Sequence, residues 1–275
     1  MYRTTQFFIF LLIAIASNAQ SDIDCQDFGT CMTLGTDHLT KGTYEKAINV
    51  FSKTIKLAPK NGAGYANRGI AYMELGQYDK SLADLKKANK FDKKNPIILM
   101  SLALVHKGMS NYSEAQKYFE KTIDVKPDYT KAYYNLANML VDEGKTEEAM
   151  NQFNKSISIK PTYLALLNRG LLYQKQRDFE KALMDYDNAL SIDSLGIAAY
   201  SNKGNVFADQ GAFLLAIEEY TRAIDINPNY ASGYFNRAIS KKIMYDRTGA
   251  CEDWKKAAEL GMPQAKKAYE MECSN

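Results

Sequence analysis

Apolar residues recur at intervals of three and four along most of this chain, from Phe28 to about residue 262. Blocks such as GQYDKSLADL, which begins at Gly76, place a small residue, an aromatic and an alanine or serine on one helical face. Glycine or a polar pair separates each apolar stretch from the next, as at a turn. The pattern predicts an all-α protein built from pairs of amphipathic helices.

The same block returns about every 34 residues, which is the mark of a repeat protein. Six copies can be aligned, and they begin at Gly42, Gly76, Ser110, Gly144, Arg177 and Gly211. We therefore predict seven repeat units followed by a C-terminal capping helix at 263–275. The units are 28–61, 62–95, 96–129, 130–162, 163–196, 197–230 and 231–262.

The unit at 197–230 resembles the tetratricopeptide repeat (TPR) family at all eight positions of that family's pattern, namely Tyr200, Gly204, Phe207, Phe213, Ala216, Tyr220, Ala223 and Pro228. Other units depart locally: His106 stands where tyrosine is usual, and Thr146 replaces an aromatic. The resemblance implies a right-handed superhelical solenoid of about seven helix pairs. It also implies that peptides or proteins bind on the concave face.

An asparagine recurs at the sixth position of the first helix in five units. At about 100° per residue, this position lies away from the seam between the two helices of a pair. By the resemblance it faces the concave groove. The predicted peptide-binding groove is formed by Asn67, Asn135, Asn168, Asn202, Asn236, Tyr134, Leu171 and Phe235.

A primary amide can donate and accept hydrogen bonds together, so a row of amides can hold a peptide backbone without reading its sequence. The row resembles the asparagine ladder in the repeat region of O-linked N-acetylglucosamine transferases. The alternative is that these amides bond to neighbouring helices. Two further expectations concern nearby side chains: Met100 and Leu167 add apolar groove surface, and the heads of Arg68, Arg169 and Arg237 lie in water.

Candidate chemistry other than binding is weak. The net charge is only +3 and the lysines are scattered, so nucleic acid is not expected as a partner. With two histidines, His38 and His106, and no CxxC, we expect no metal or other cofactor. Glu218 and Glu219 are typical of a solvated helix face. The expectation is a protein that is not an enzyme.

The amino terminus has the composition of a signal peptide at 1–19, followed by a linker at 20–27. Its apolar run, FFIFLLIAIA from Phe7, is ten residues long, whereas a bilayer span needs about 20. An uncleaved anchor is the alternative. Export to the periplasm or the medium is expected, with no membrane span after signal removal.

Four cysteines in an exported chain permit disulfides. If the capping helix folds back on the preceding helix near Gly261, Cys251 lies opposite Cys273, although two buried free thiols are the alternative. Cys25 and Cys31 would be about 9 Å apart on one helix, so their bond requires a non-helical chain before Phe28.

The predicted function is a non-catalytic scaffold of the cell envelope that binds an extended peptide or partner protein in the groove. A structural assembly role through the convex face or the ends is the alternative. The identity of the partner and the oligomeric state stay open at this level.

Overall fold

The computed structural model describes residues 25–273, and every regular element in that range is an α-helix. The predicted signal peptide at 1–19, the first part of the linker and the last two residues lie outside this range. The all-α prediction is confirmed. The helices are α1 (Phe28–Thr40), α2 (Tyr44–Leu57), α3 (Gly62–Glu74), α4 (Tyr78–Phe91), α5 (Pro96–Gly108), α6 (Tyr112–Val125), α7 (Thr130–Asp142), α8 (Thr146–Ile159), α9 (Tyr163–Lys175), α10 (Phe179–Ile192), α11 (Ile197–Asp209), α12 (Phe213–Ile226), α13 (Ala231–Ile243), α14 (Arg247–Glu259) and α15 (Pro263–Cys273).

Each predicted repeat unit contains one pair of helices, joined by a tight turn with a left-handed residue. Glycine takes this place in four pairs, for example Gly76 with φ 68°. Ser110 and Arg177 take it with φ 60°, and Tyr245 with φ 63°. A left-handed conformation is unfavourable for residues with a Cβ, so these three turns are strained relative to the glycine turns.

The chain divides between Met139 and Leu140 into two compact units, which we call the N-terminal and C-terminal units. The core of the N-terminal unit includes a cluster around Leu85, Leu102 and Val105, which are fully buried. Glycine allows the helices of a pair to approach closely there. A Cβ on Gly69 would lie 2.8 Å from Cγ of Leu85, too close for the present packing.

Tyrosines fill the matching space in the C-terminal unit. Tyr186 packs on Gly170 and Tyr220 packs on Gly204, and both rings are almost fully buried. Burial raises the pKa of both phenols. Their hydroxyls remain satisfied, because Tyr186 donates to Oε1 of Gln174 at 3.1 Å. Small and large residues therefore alternate across each seam.

The capping helix α15 packs against α14. Ala265 is fully buried beside Trp254, and Tyr269 covers the same cluster. A disulfide joins Cys251 to Cys273, with 5.7 Å between their Cα atoms. A second one joins Cys25 to Cys31, where the Cα atoms are 5.0 Å apart. The second bond is possible because α1 begins only at Phe28, so Cys25 precedes the helix.

Candidate functional site

The five asparagines of the predicted groove are all half-buried, but their hydrogen bonds differ. Asn135 donates to the carbonyl of Lys131 in its own helix at 2.8 Å. Asn236 donates to Oδ1 of Asn205 on α11 at 3.2 Å. These two amides already use a donor within the protein, but only the bond of Asn236 bridges to a neighbouring helix.

Asn67 lies beside open space. It lines a cleft of about 730 Å³ in the N-terminal unit, between the helix pair α3–α4 and the start of α5. The side-chain amide of Asn67 makes no hydrogen bond with any described residue, and the same is true of Asn202. Both amides can therefore donate and accept in an external contact.

A second cleft, of about 370 Å³, lies in the C-terminal unit beside Asn236. Its polar wall is an internal network, because Oδ1 of Asn205 also accepts a bond of 2.8 Å from the hydroxyl of Tyr220. Asp209 lines the same cleft and accepts from Nε2 of Gln174 at 3.0 Å. This cleft is smaller and its amides are largely committed to each other.

The apolar residues of the predicted groove divide into exposed and covered ones. Leu171 is 36% exposed and is available for contact, whereas Phe235 packs against the cluster that contains Trp254. Tyr134 is half-buried. The expectation for Met100 and Leu167 was wrong, since both are buried in the helix packing and offer no groove surface.

The expectation that three arginine heads lie in water was also wrong. Each arginine instead forms a two-pronged ion pair with an aspartate on the second helix of its own pair. For Arg169 the distances are 2.8 Å from Nε to Oδ2 of Asp185 and 2.6 Å from Nη2 to Oδ1. The aspartates are nearly inaccessible to solvent. The pairs are Arg68–Asp84, Arg169–Asp185 and Arg237–Asp253.

Each arginine also reaches the preceding helix pair through Nη1. Arg68 donates to Ser52, Arg169 to Asn154 and Arg237 to Thr221, at distances from 2.7 to 2.9 Å. One guanidinium thus connects three helices. We call this arrangement the arginine staple. With positions counted from the first residue of each unit, it consists of the cation at position 7, the carboxylate at position 23 and a hydrogen-bond acceptor at position 25 of the preceding unit.

Lysine replaces arginine in the unit at 197–230. Nζ of Lys203 lies 2.7 Å from Oδ1 of Asp187 but 3.5 Å from Oε1 of Glu219, so its contact with the position-23 carboxylate is long. Glu219 is buried and pairs with Arg222 as well, which corrects the prediction of a solvated face for this residue. Oε2 of Glu219 is buried without a hydrogen-bond partner.

The staples have a sequence signal that the helix-face argument overlooked. In three units an arginine at position 7 is followed sixteen residues later by an aspartate, as in Arg68 and Asp84. Both positions point into the seam, where an unpaired charge would be costly. Hydrogen bonding to Asp84 raises the pKa of Arg68 against the opposing effect of burial.

No helix within residues 25–273 has both the length and the apolar character that a bilayer span requires. No group of three or more histidine, cysteine, aspartate or glutamate residues in the same range could hold a metal ion.

Repeated helix pairs with this internal seam define the class of helical repeat proteins. Profiles described as "TPR repeat" or "Tetratricopeptide repeat" match residues 69–110, 204–241, 163–194, 97–129 and 130–163, which together are more than half of the chain. The chain belongs to the tetratricopeptide repeat family. Proteins of this family are interaction scaffolds that bind peptides or proteins.

Individual similarities are moderate. Human tetratricopeptide repeat protein 6 is 28% identical over 217 residues, which cover 78% of this chain and 42% of that protein. The C-terminal part of a TPR protein from Cytophaga hutchinsonii gives a TM-score of 0.69 at 18% identity, covering 86% of this chain and 98% of that one. This chain spans less than half the length of the curated relatives that it matches first.

A further solved structure, YrrB, is described as a TPR protein with an unusual peptide-binding site. It gives a TM-score of 0.57 at 19% identity, and the similarity covers 68% of this chain and 97% of that one. At such identities the two structural similarities establish the fold alone.

Proposed function

We propose that this protein is an exported scaffold of the cell envelope that binds an extended peptide, or an extended segment of a partner protein, along the first helices of its repeats. The observation that carries the proposal is the state of Asn67 and Asn202. Both are half-buried at position 6, and neither amide bonds to a described residue. Each can pair with both the N–H and the C=O of a bound backbone.

Two disulfides support export. Bonds between Cys25 and Cys31, and between Cys251 and Cys273, persist in oxidising compartments and are rare in the cytosol. They agree with the signal peptide predicted at 1–19. Periplasm and medium are both compatible with this chemistry.

The groove proposal differs from the sequence prediction in one respect. The predicted five-amide row treated all members alike, whereas Asn135 and Asn236 already donate within the protein. We therefore treat the two units separately and assign a backbone contact to Asn67 within the N-terminal unit and another to Asn202 within the C-terminal unit.

Partner capture with matched variants tests this assignment. The mature protein is immobilised and incubated with envelope extract, and the captured proteins are quantified by mass spectrometry. Asn67→Ala and Asn202→Ala together are expected to reduce specific capture by about tenfold, equivalent to about 1.4 kcal/mol. Asn188→Ala, which alters an exposed asparagine on the second helix α10, is the control and leaves capture unchanged.

The alternative function is structural assembly through the outer face of the second helices. Met184 on α10 and Leu214 on α12 are 54% and 64% exposed, so both side chains are accessible to a partner. Met184→Gln with Leu214→Gln tests it by the same capture. If these changes abolish capture and the double asparagine variant does not, assembly replaces groove binding as the function.

A further inference from the structure

The cleft beside Asn67 lies at a junction between successive helix pairs. We call it the junction cleft, and its walls include Gly62, Ala66, Asn67, Phe91, Asn95 and Ile98. Its volume of about 730 Å³ is within the range of small-ligand sites, about 300–1,000 Å³. All of these residues belong to the N-terminal unit.

Two junctions between helix pairs in the C-terminal unit correspond to the junction cleft. In both of them a tyrosine side chain of the protein itself fills the corresponding space. Between α10 and α11, the ring of Tyr163 packs over Gly196, and its hydroxyl accepts the N–H of Ala199 at 3.2 Å. Between α12 and α13, the ring of Tyr230 lies against Gly233, and its hydroxyl donates to Oγ of Ser201 at 2.9 Å.

The repeat register identifies what the junction cleft lacks. Tyr163 is the first residue of its unit, and the first residue of the unit at 62–95 is Gly62. Tyr230 is the last residue of its unit, and the corresponding residue is Asn95. Neither position carries an aromatic side chain in the unit at 62–95, so the junction cleft stays open, whereas the other two junctions are filled.

The walls of the junction cleft suit an aromatic ring. Phe91 is 46% exposed and stacks on Tyr65 with 6.3 Å between ring centroids, so one of its faces is held in place by a buried neighbour. Ile98 is buried at the floor. Offset or edge contacts between aromatic rings contribute about 0.5–1.5 kcal/mol beyond the area that they bury.

The charges at the rim of the junction cleft indicate which partner residues would flank the bound aromatic ring. Lys60 lines the cleft, and Lys93 and Lys94 follow directly after the lining residue Asp92. The carboxylate of Asp92 is held by its own turn, since it accepts from the backbone N–H of Lys94 and from Nδ2 of Asn95. Three exposed lysines therefore favour acidic side chains in a partner.

We propose that the junction cleft binds a tyrosine or phenylalanine side chain from an acidic segment of a partner, in the place that Tyr163 and Tyr230 occupy at the other junctions. This inference rests on the proposed function and deepens it, because Asn67 belongs to both sites. The free amide of Asn67 bonds to the backbone next to the inserted ring. The cleft gives the otherwise sequence-tolerant scaffold a preference for one residue type.

The test uses the full mature protein and a defined probe, the acetylated and amidated peptide Asp-Glu-Tyr-Asp-Glu. A matched peptide carries alanine in place of tyrosine. Binding is followed by NMR shifts of the backbone amides of Asn67 and Ile98. We expect saturable shifts there, with the tyrosine peptide binding about tenfold more tightly than the alanine peptide.

Two variants fill the cleft with the protein's own ring. Gly62→Tyr copies Tyr163 and Asn95→Tyr copies Tyr230, and each is expected to weaken the tyrosine peptide by about tenfold or more. Gly62→Ala is the control, because it adds a Cβ but no ring: the Cβ lies 3.2 Å from the carbonyl oxygen of Ala88 and from Cβ of Phe91, so these neighbours shift by a few tenths of an ångström, and binding is retained within about threefold. Circular dichroism establishes that each variant is folded.

Equal binding of the two peptides by the wild type would overturn the proposal, as would unchanged binding by both folded tyrosine variants. The capture experiment keeps this result separate from the proposed function. If peptide selectivity is absent but the single variant Asn202→Ala still reduces capture, only the aromatic specificity fails. If the double variant Asn67→Ala with Asn202→Ala leaves capture unchanged while Gly62→Tyr still blocks the peptide, the amide contacts fail and the cleft stands.

Discussion

Two neighbouring repeats of the N-terminal unit close the same seam with different chemistry. In the unit at 62–95, positions 7 and 23 are Arg68 and Asp84, joined by two hydrogen bonds of 2.7 and 2.9 Å. In the unit at 96–129 the same positions are Leu102 and Tyr118, which belong to one apolar cluster. The seam thus requires complementary partners rather than particular residues.

The apolar seam and the arginine staple differ in how strictly they fix the relative positions of the helices. An apolar pair gains from burial wherever it fits, so it contributes stability with little directionality. An arginine staple has fixed geometry and includes the preceding helix pair through Ser52. Buried ion pairs often add little net stability, but breaking one leaves an uncompensated charge. The staple therefore makes the registration of successive pairs sensitive to single changes.

The largest expected effect comes from breaking the most buried staple. Asp185 is fully buried, so Asp185→Ala leaves the Arg169 charge in the seam without its partner. We expect a loss of about 3–5 kcal/mol in the free energy of unfolding. Chemical denaturation followed by circular dichroism measures it. Glu180→Ala on the same helix is the control, since this carboxylate is exposed and lies away from the staples, so its loss costs at most about 1 kcal/mol.

A smaller effect is expected when the apolar solution is transplanted as a whole. Asp84→Tyr alone leaves Arg68 without its ion-pair partner. Arg68→Leu combined with Asp84→Tyr instead recreates the apolar pair that Leu102 and Tyr118 form in the next unit. The double variant is expected to equal the wild type in stability or to exceed it by about 1–4 kcal/mol. If the double variant is no more stable than Asp84→Tyr alone, the two seams are not interchangeable.

These contrasts also show what the sequence could predict. Helix pairs, turns and the small-against-large seam followed from periodicity, because Gly69 or Gly170 has one role wherever the repeat places it. The staples did not, since Arg169 and Asp185 are on different helices, and a single-helix wheel places the arginine stem along the seam without identifying a partner for its charged head. Asn67 and Asn236 likewise look identical in sequence. Only the neighbour Asn205 distinguishes Asn236, and that contact spans 31 residues.

Lys203 occupies an incomplete version of the staple, which an arginine should complete. Its Nζ is 3.5 Å from Glu219, and Oε2 of that buried carboxylate has no partner. Lys203→Arg supplies a planar fork that can reach both oxygens. We expect a gain of about 1 kcal/mol, seen as a rise of about 2–4 °C in the thermal midpoint. An unchanged or lower midpoint would mean that the seam at 197–230 has no room for the guanidinium.

The smallest expected effect is a change in the pH dependence of stability. It comes from His106, a titratable residue in the apolar seam of the unit at 96–129. His106 is buried and stacks on Tyr118 with 5.5 Å between ring centroids, and its Nδ1 has no hydrogen-bond partner. Burial lowers the pKa of His106 below its ordinary value of 6.5; nearby Glu114 opposes this shift and Lys86 adds to it. The folded protein therefore favours the neutral ring.

The sign of the pH dependence follows from that shift. Above about pH 6.5 the ring is neutral in both states and contributes no pH dependence. As the pH falls below 6.5 the unfolded chain takes up the proton first, so stability declines until the folded pKa is passed. His106→Phe keeps the stack on Tyr118 and removes the proton site. Thermal midpoints at pH 7.5 and 5.5 should therefore differ less in this variant than in the wild type, and an equal difference would place the acid sensitivity elsewhere in the chain.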